Sequence, residues 1–232
     1  MSDYSFCFYR FYEGFDLGTV NRVLSGLERA DRKFFPLTIL VGPSQEVRIE
    51  TADDFRRECV PAEYQISPNV YRVPFRAANG VAVTLTDSKD LDVAPANLVL
   101  EFSKATYVAN GWNLGFLAKL SRELVKEFSA DLGYLYQDRQ RSRTIYGDRL
   151  FDRRFERRPL GVFWVNFFGF RCDGVKAMPF RKVMHRLPLF EELPGQGYLF
   201  SIQEELYEES ASRDRRNQEE IEGELFSGWL KD

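Results

Sequence analysis

Apolar and polar positions along the chain repeat with two distinct periods, and these lay out most of its elements. Residues 4 to 12 carry Phe6 and Phe8 on one alternating face and Cys7, Tyr9 and Phe11 on the other. A strand covered on both sides has this pattern. From Asp16, a candidate N-cap, Leu17, Val20, Leu24 and Leu27 recur at helical spacing while Arg22, Glu28 and Arg29 lie off the stripe, which predicts an amphipathic helix packed on the sheet. Pro36 to Val41 reads as a strand that ends at Gly42-Pro43-Ser44, with a short strand over Val47 to Ile49. Thr51-Ala52-Asp53-Asp54 then opens a helix that stops before Pro61.

Val70 to Phe75 and Val81 to Leu85 flank Asn79-Gly80 as a hairpin, and Pro74 places the first of these strands toward a sheet edge. Asn97 to Phe102 predicts another strand. The strongest helical pattern runs from Asn110 to Ser129, with Leu117, Leu120, Leu124 and Phe128 facing inward. A strand follows over Gly133 to Gln137. Leu160 to Phe170 is apolar on both alternating faces and predicts a central strand. A short helix around Phe180 to Arg186, a strand over Gly197 to Ile202 and a polar helix over Ser210 to Phe226 complete the chain.

Helices and strands are interspersed without a strict βαβ rhythm, and hairpin signals are present. The expected fold is therefore a single α+β domain over residues 1–232, a largely antiparallel sheet packed by amphipathic helices. Two subdomains dividing near residues 103–110 are the alternative.

Composition sharpens this picture. At 232 residues, with 44% hydrophobic and 15% aromatic positions, the chain needs no disulfide or metal to build a core. A net charge of −3 argues against a surface that is basic overall. Cys7, Cys59 and Cys172 are odd in number and form no C-x-x-C, so neither a disulfide framework nor a zinc site is expected. No basic leader and no window of about 18 apolar residues occurs, which predicts a soluble cytoplasmic protein without membrane contact.

Tests for catalytic chemistry come out negative. His185 is the one histidine, and it sits among Arg181, Lys182 and Arg186 as a surface or helix-end residue. Cys172 lacks a histidine partner and reads as a buried thiol, although Arg171 beside it could lower its pKa. Phosphate-binding G-x-G-x-x-G and G-x-x-x-x-G-K-[ST] patterns and metal-binding spacings are absent, and Pro194-Gly195-Gln196-Gly197 reads as a turn. No catalytic residue, metal or cofactor is expected. A hydrolase using carboxylates alone remains a lesser alternative.

Two charge blocks carry the functional signal. Residues 139 to 158 hold Arg139, Arg141, Arg143, Arg149, Arg153, Arg154, Arg157 and Arg158 against Asp148, Asp152 and Glu156, with Tyr146, Phe151 and Phe155 interleaved. Arginine forks beside rings suit phosphate and base contacts, so this segment is a candidate nucleic-acid surface. A solvated, internally paired segment is the alternative. Residues 191 to 225 reverse the sign, with eleven acidic residues against Arg213, Arg215 and Arg216. The densest stretch, Glu204, Glu205, Tyr207, Glu208 and Glu209, surrounds an aromatic with carboxylates and is a candidate site for a basic protein partner. A solvated helix face with a core tyrosine is the alternative, and the two blocks could also pair with each other.

The run Val162-Phe163-Trp164-Val165-Asn166-Phe167-Phe168-Gly169 resembles the apolar-Trp-x-Asn-aromatic-aromatic-Gly strand of bacterial polymorphic-toxin immunity proteins of the immunity-protein-52 type. Asn110-Gly111-Trp112 and the acidic stretch after residue 191 are similar in placement, so the likeness covers roughly the C-terminal half, while the arginine-dense segment departs from it. The resemblance implies a small non-catalytic cytoplasmic protein of bacterial competition and type VI secretion, which binds one cognate toxin and holds it inactive. An Arg-rich nucleic-acid-binding module is the competing expectation.

Overall fold

The computed structural model describes residues 3–12, 14, 16–41, 45–58, 65–67, 70–88, 95–137, 157–208 and 211–227. In chain order the elements are β1 (Tyr4–Arg10), α1 (Leu17–Ala30), β2 (Leu37–Val41), β3 (Gln45–Ile49), α2 (Ala52–Glu58), β4 (Gln65–Ser67), β5 (Val70–Ala77), β6 (Ala82–Ser88), β7 (Ala96–Phe102), α3 (Lys104–Ala109), α4 (Leu114–Phe128), β8 (Leu132–Gln137), β9 (Val165–Gly169), α5 (Phe180–Val183), β10 (Leu189–Leu193), β11 (Gly197–Ser201) and α6 (Ser212–Leu225). The strands make one sheet in the order β10-β11-β9-β8-β1-β7-β6-β5-β2-β3, with β4 beside β5. Every pairing is antiparallel. This is the expected α+β architecture. Fully buried β1 lies between β7 and β8, so it joins the two halves of the chain within the sheet, and the buried apolar residues form one continuous core.

Helix ends follow their local chemistry. Asp16 caps α1, its carboxylate accepting the Thr19 N–H at 2.7 Å and the Thr19 hydroxyl at 3.0 Å. Those bonds hold its pKa below the ordinary aspartate value. α1 packs along α4, and Arg29 bridges to Glu123 (2.9 Å) and Glu127 (2.6 Å). The helix expected from Asn110 begins instead at Leu114. Gly111 adopts a left-handed conformation (φ 65°), which closes α3, and the Asn113 side chain accepts the Phe116 N–H at 2.9 Å to start α4.

Pro74 does not put β5 at an edge. Ala77 donates to Val81 at 2.8 Å, and by alternation Pro74 takes a non-hydrogen-bonded position opposite Thr84, its nitrogen turned toward the other side. On that side β2 pairs only with residues 75–77 and β4 only with residues 70 and 71. The proline therefore falls in the gap between two neighbours and removes no ladder bond.

The central strand is shorter than its apolar run. Only Val165 to Gly169 pair with β8 and β11, although Leu160 to Trp164 are just as buried. Side chains satisfy the backbone of that preceding segment. Leu160 N–H donates to the Tyr134 hydroxyl (3.0 Å), and Val162 N–H donates to Glu222 (2.8 Å). Val162 C=O accepts from Gln218, and the Asn166 amide pairs with both backbone groups of Phe163 at 2.7 Å each. The Trp-x-Asn-Phe-Phe-Gly run is thus a folding device: Trp164 fills the core, Asn166 clamps the turn into β9, and a Cβ on Gly169 would lie 2.5 Å from the Asp131 carbonyl oxygen.

Candidate functional site

Helix α6 has two faces with different duties. Gln218, Ile221, Glu222 and Leu225 point inward and are buried. The Tyr207 hydroxyl donates to Gln218 Oε1 at 2.5 Å, and the Tyr4 hydroxyl donates to the Tyr207 carbonyl at 2.9 Å. Residues 202 to 208 are stitched to the same helix from outside. Asp214 accepts the Glu208 N–H (3.0 Å) and the Gln203 amide (3.2 Å), while Asn217 donates to the Ile202 carbonyl (2.7 Å). Arg186 closes the third side by bridging Glu220 (2.9 Å) and Glu224 (2.5 Å).

An open polar groove of about 650 Å³ remains between these walls. Glu204 and Glu205 line it from the loop, and Arg213 and Arg216 from the helix. All four are exposed, and none forms a side-chain hydrogen bond or ion pair among the described residues. The remainder of the acidic block is largely committed elsewhere. Glu191 pairs with Arg122 at 2.7 Å, Glu208 with Lys104, Glu219 with Arg215 at 3.8 Å, and buried Glu222 holds the Val162 backbone. Tyr207 is fully buried and belongs to the core, so its ring offers no surface contact. Glu209 lies outside the described residues.

Of the arginine-dense segment, Arg139, Arg141, Arg143, Arg149, Arg153 and Arg154 lie outside the described residues, whereas Arg157 and Arg158 are described. The Arg157 guanidinium stands 5.0 Å from the centre of the Tyr12 ring, and that of Arg171 stands 5.4 Å from it. Tyr12 donates its hydroxyl to the Arg171 carbonyl at 2.7 Å, and burial raises its phenol pKa.

Arg171 also reaches Asp131, a fully buried carboxylate that accepts Arg171 Nε at 2.6 Å and the Phe11 N–H at 2.8 Å. Burial outweighs both contacts and raises its pKa above the ordinary 3.8. A carboxylate with a raised folded pKa contributes stability that is complete below 3.8 and lost as pH rises through the folded value. Urea unfolding of the wild type and of Asp131→Asn is therefore expected to diverge in favour of the wild type as pH falls toward 3.8. A difference between the two that stays constant with pH would contradict the raised value.

His185 is exposed on a single 3-10 turn. Cys172 is buried, its Sγ 3.4 Å from the Asp131 carbonyl oxygen. Burial, then Asp131 and Asp173, push its pKa far up despite the adjacent guanidinium, so it stays a thiol. Cys7 is buried as well, while Cys59 lies outside the described residues. Among the described residues no group of three or more His, Cys, Asp or Glu could hold a metal ion, and no helix is long and apolar enough to cross a membrane.

The sequence pointed to the loop carboxylates and missed the arginines opposite them. Arg213 and Arg216 entered the charge balance only as diluents of the acidic block, yet their spacing of three residues already put them on one helix face.

No family model matches the chain, and no curated protein matches it in sequence. Among solved structures, the Pseudomonas aeruginosa T6SS protein PA0821 superposes with a TM-score of 0.60 over 96% of this chain and 75% of its own, at 9% sequence identity. What the two chains share at that identity is the fold.

Proposed function

We propose that this chain is a non-catalytic, cytoplasmic immunity protein that binds a cognate effector toxin and neutralises it, with the groove between residues 202–208 and α6 as the contact. The observation that carries this reading is the state of Glu204 and Glu205. The fold consumes the neighbouring acidic side chains in ion pairs and backbone bonds, but these two line a large open groove with no partner among the described residues. Unpaired charges held on a rigid rim set which partners dock and how fast. The fold likeness to a T6SS protein supports a setting in type VI secretion. Neither the sole histidine nor Cys172, whose burial keeps it a thiol, lines the groove, so a histidine-based or cysteine-based reaction has no support there.

The direct test expresses the protein encoded by the adjacent gene with and without this chain, follows growth, and co-purifies the two products. Rescue together with a stable complex is the expected result; toxicity without rescue overturns the reading. Within that assay, Glu204→Lys with Glu205→Lys is expected to weaken the complex by about tenfold or more. Its own stability should stay within about 0.5 kcal/mol of wild type, because neither side chain has a partner among the described residues. Unchanged affinity would remove these carboxylates from the contact.

One observation favours a second reading. Arg157, at the described end of the arginine-dense segment, stands with Arg171 against the exposed ring of Tyr12, as cations and rings do on a nucleic-acid surface. Affinity for an oligonucleotide that falls by decades as salt rises would support it over a protein complex.

A further inference from the structure

We propose that the groove selects a partner segment of mixed charge, which presents a basic side chain to Glu204 and Glu205 and an acidic one to Arg213 and Arg216; this rests on the immunity reading above and specifies its partner. The acidic composition of residues 191 to 225 by itself points to a uniformly basic partner. The groove says otherwise, because its unpaired charges are two carboxylates on the loop wall and two guanidiniums on the helix wall. Arg213 and Arg216 lie three residues apart and so share one face of α6, which Asn217 and Glu220 continue along the groove. That face cannot rotate away. The opposite face of the helix is anchored in the core through Gln218 and Glu222, and the loop is tied down through Asp214.

A polyanion that satisfied the two arginines would bring its remaining charges against Glu204 and Glu205, and a polycation would meet the reverse conflict. Like charges brought face to face discriminate strongly against a partner. A segment carrying both signs satisfies both walls, and a cavity of about 650 Å³ has room for several side chains. The four unpaired charges sum to zero, so this contact provides specificity of register and little long-range steering.

The experiment measures binding to the toxin encoded by the adjacent gene for the wild type and three variants: E204R/E205R, R213E/R216E, and the quadruple variant combining them. The quadruple variant keeps the net charge of the wild type and inverts the groove. Each variant is expected to lose about tenfold or more in affinity. In addition, E204R/E205R, whose unpaired groove charges are then all basic, is expected to retain a single-stranded oligonucleotide that the wild-type groove does not. Acidic residues early in α6 suit its N-terminal dipole, so R213E/R216E should fold; R213Q/R216Q serves if it does not. Wild-type or tighter affinity in R213E/R216E or the quadruple variant overturns the mixed-charge assignment while leaving the immunity function intact. A wild type that neither rescues growth nor forms a complex removes the immunity reading, and the inference goes with it.

Discussion

Replacing Trp164 with alanine is expected to destabilise the protein by about 3–5 kcal/mol, a large fraction of the roughly 5–15 kcal/mol that holds a domain folded. Its side chain is fully buried beside Tyr4 (ring centres 6.1 Å apart) and Tyr107 (5.7 Å). The indole N–H donates to the Gln203 carbonyl at 3.3 Å, and the Trp164 carbonyl accepts from Ile202 N–H (3.1 Å) and the Ser201 hydroxyl (2.8 Å). Truncation leaves a cavity where β1, α3 and the start of β9 meet, and rigid neighbours on three elements cannot collapse into it. Trp164→Phe keeps most of the packing and should cost clearly less. Urea unfolding followed by circular dichroism checks both, and a wild-type midpoint for the alanine variant would refute this account of the core.

Periodicity was a good guide wherever one face of an element met the core and the other met solvent. α1 and α4 carry clean apolar stripes, and the hairpin turn at Asn79-Gly80 stands where the sequence put it, with Gly80 at φ 85°. Reading failed where the partner of a backbone group is a side chain distant in sequence. Nothing local tells that Val162 hydrogen-bonds to Gln218 and Glu222, some sixty residues on, so the apolar run by itself predicts an uninterrupted strand. The edge strand β10 carries no local signal for a related reason. Its Leu189-Phe190-Glu191-Glu192-Leu193 lacks alternation, and its pairing to β11 depends on the turn at Gly195.

The candidate site shows the same boundary. Counting charges identified the acidic segment, because composition needs no geometry. Assigning roles within it required knowing which carboxylates have partners. Glu208 is paired with Lys104, more than a hundred residues away in sequence, while Glu204 and Glu205 on the same loop have no ion pair among the described residues. Likewise the tyrosine amid carboxylates suggested a surface anchor, yet Tyr207 is the buried pin that joins the loop to Tyr4 and Gln218. A ring flanked by polar residues is ambiguous between these roles until its hydroxyl partner is known.

Asn166→Leu removes the local clamp that leads into β9 and is a second strong effect. The two side chains branch alike, so leucine leaves no cavity at residue 166 and adds some overpacking while two hydrogen bonds are lost. Both belong to buried Phe163: its N–H donates to Asn166 Oδ1 and its C=O accepts from Nδ2, each at 2.7 Å. Leaving a buried donor and a buried acceptor unsatisfied costs about 1–3 kcal/mol apiece, hence about 2–6 kcal/mol for the pair. The damage should spread in a defined direction. Phe163 follows Val162, whose backbone anchors Gln218 and Glu222, so a loosened turn releases the buried face of α6 and with it the helix wall of the groove. Hydrogen exchange of the variant under native conditions is therefore expected to accelerate at residues 160–164 and along α6 before it does so in α1 or β1. Uniform acceleration across all elements would show that Asn166 supports only global stability, and an unchanged urea midpoint would show that its two bonds are dispensable.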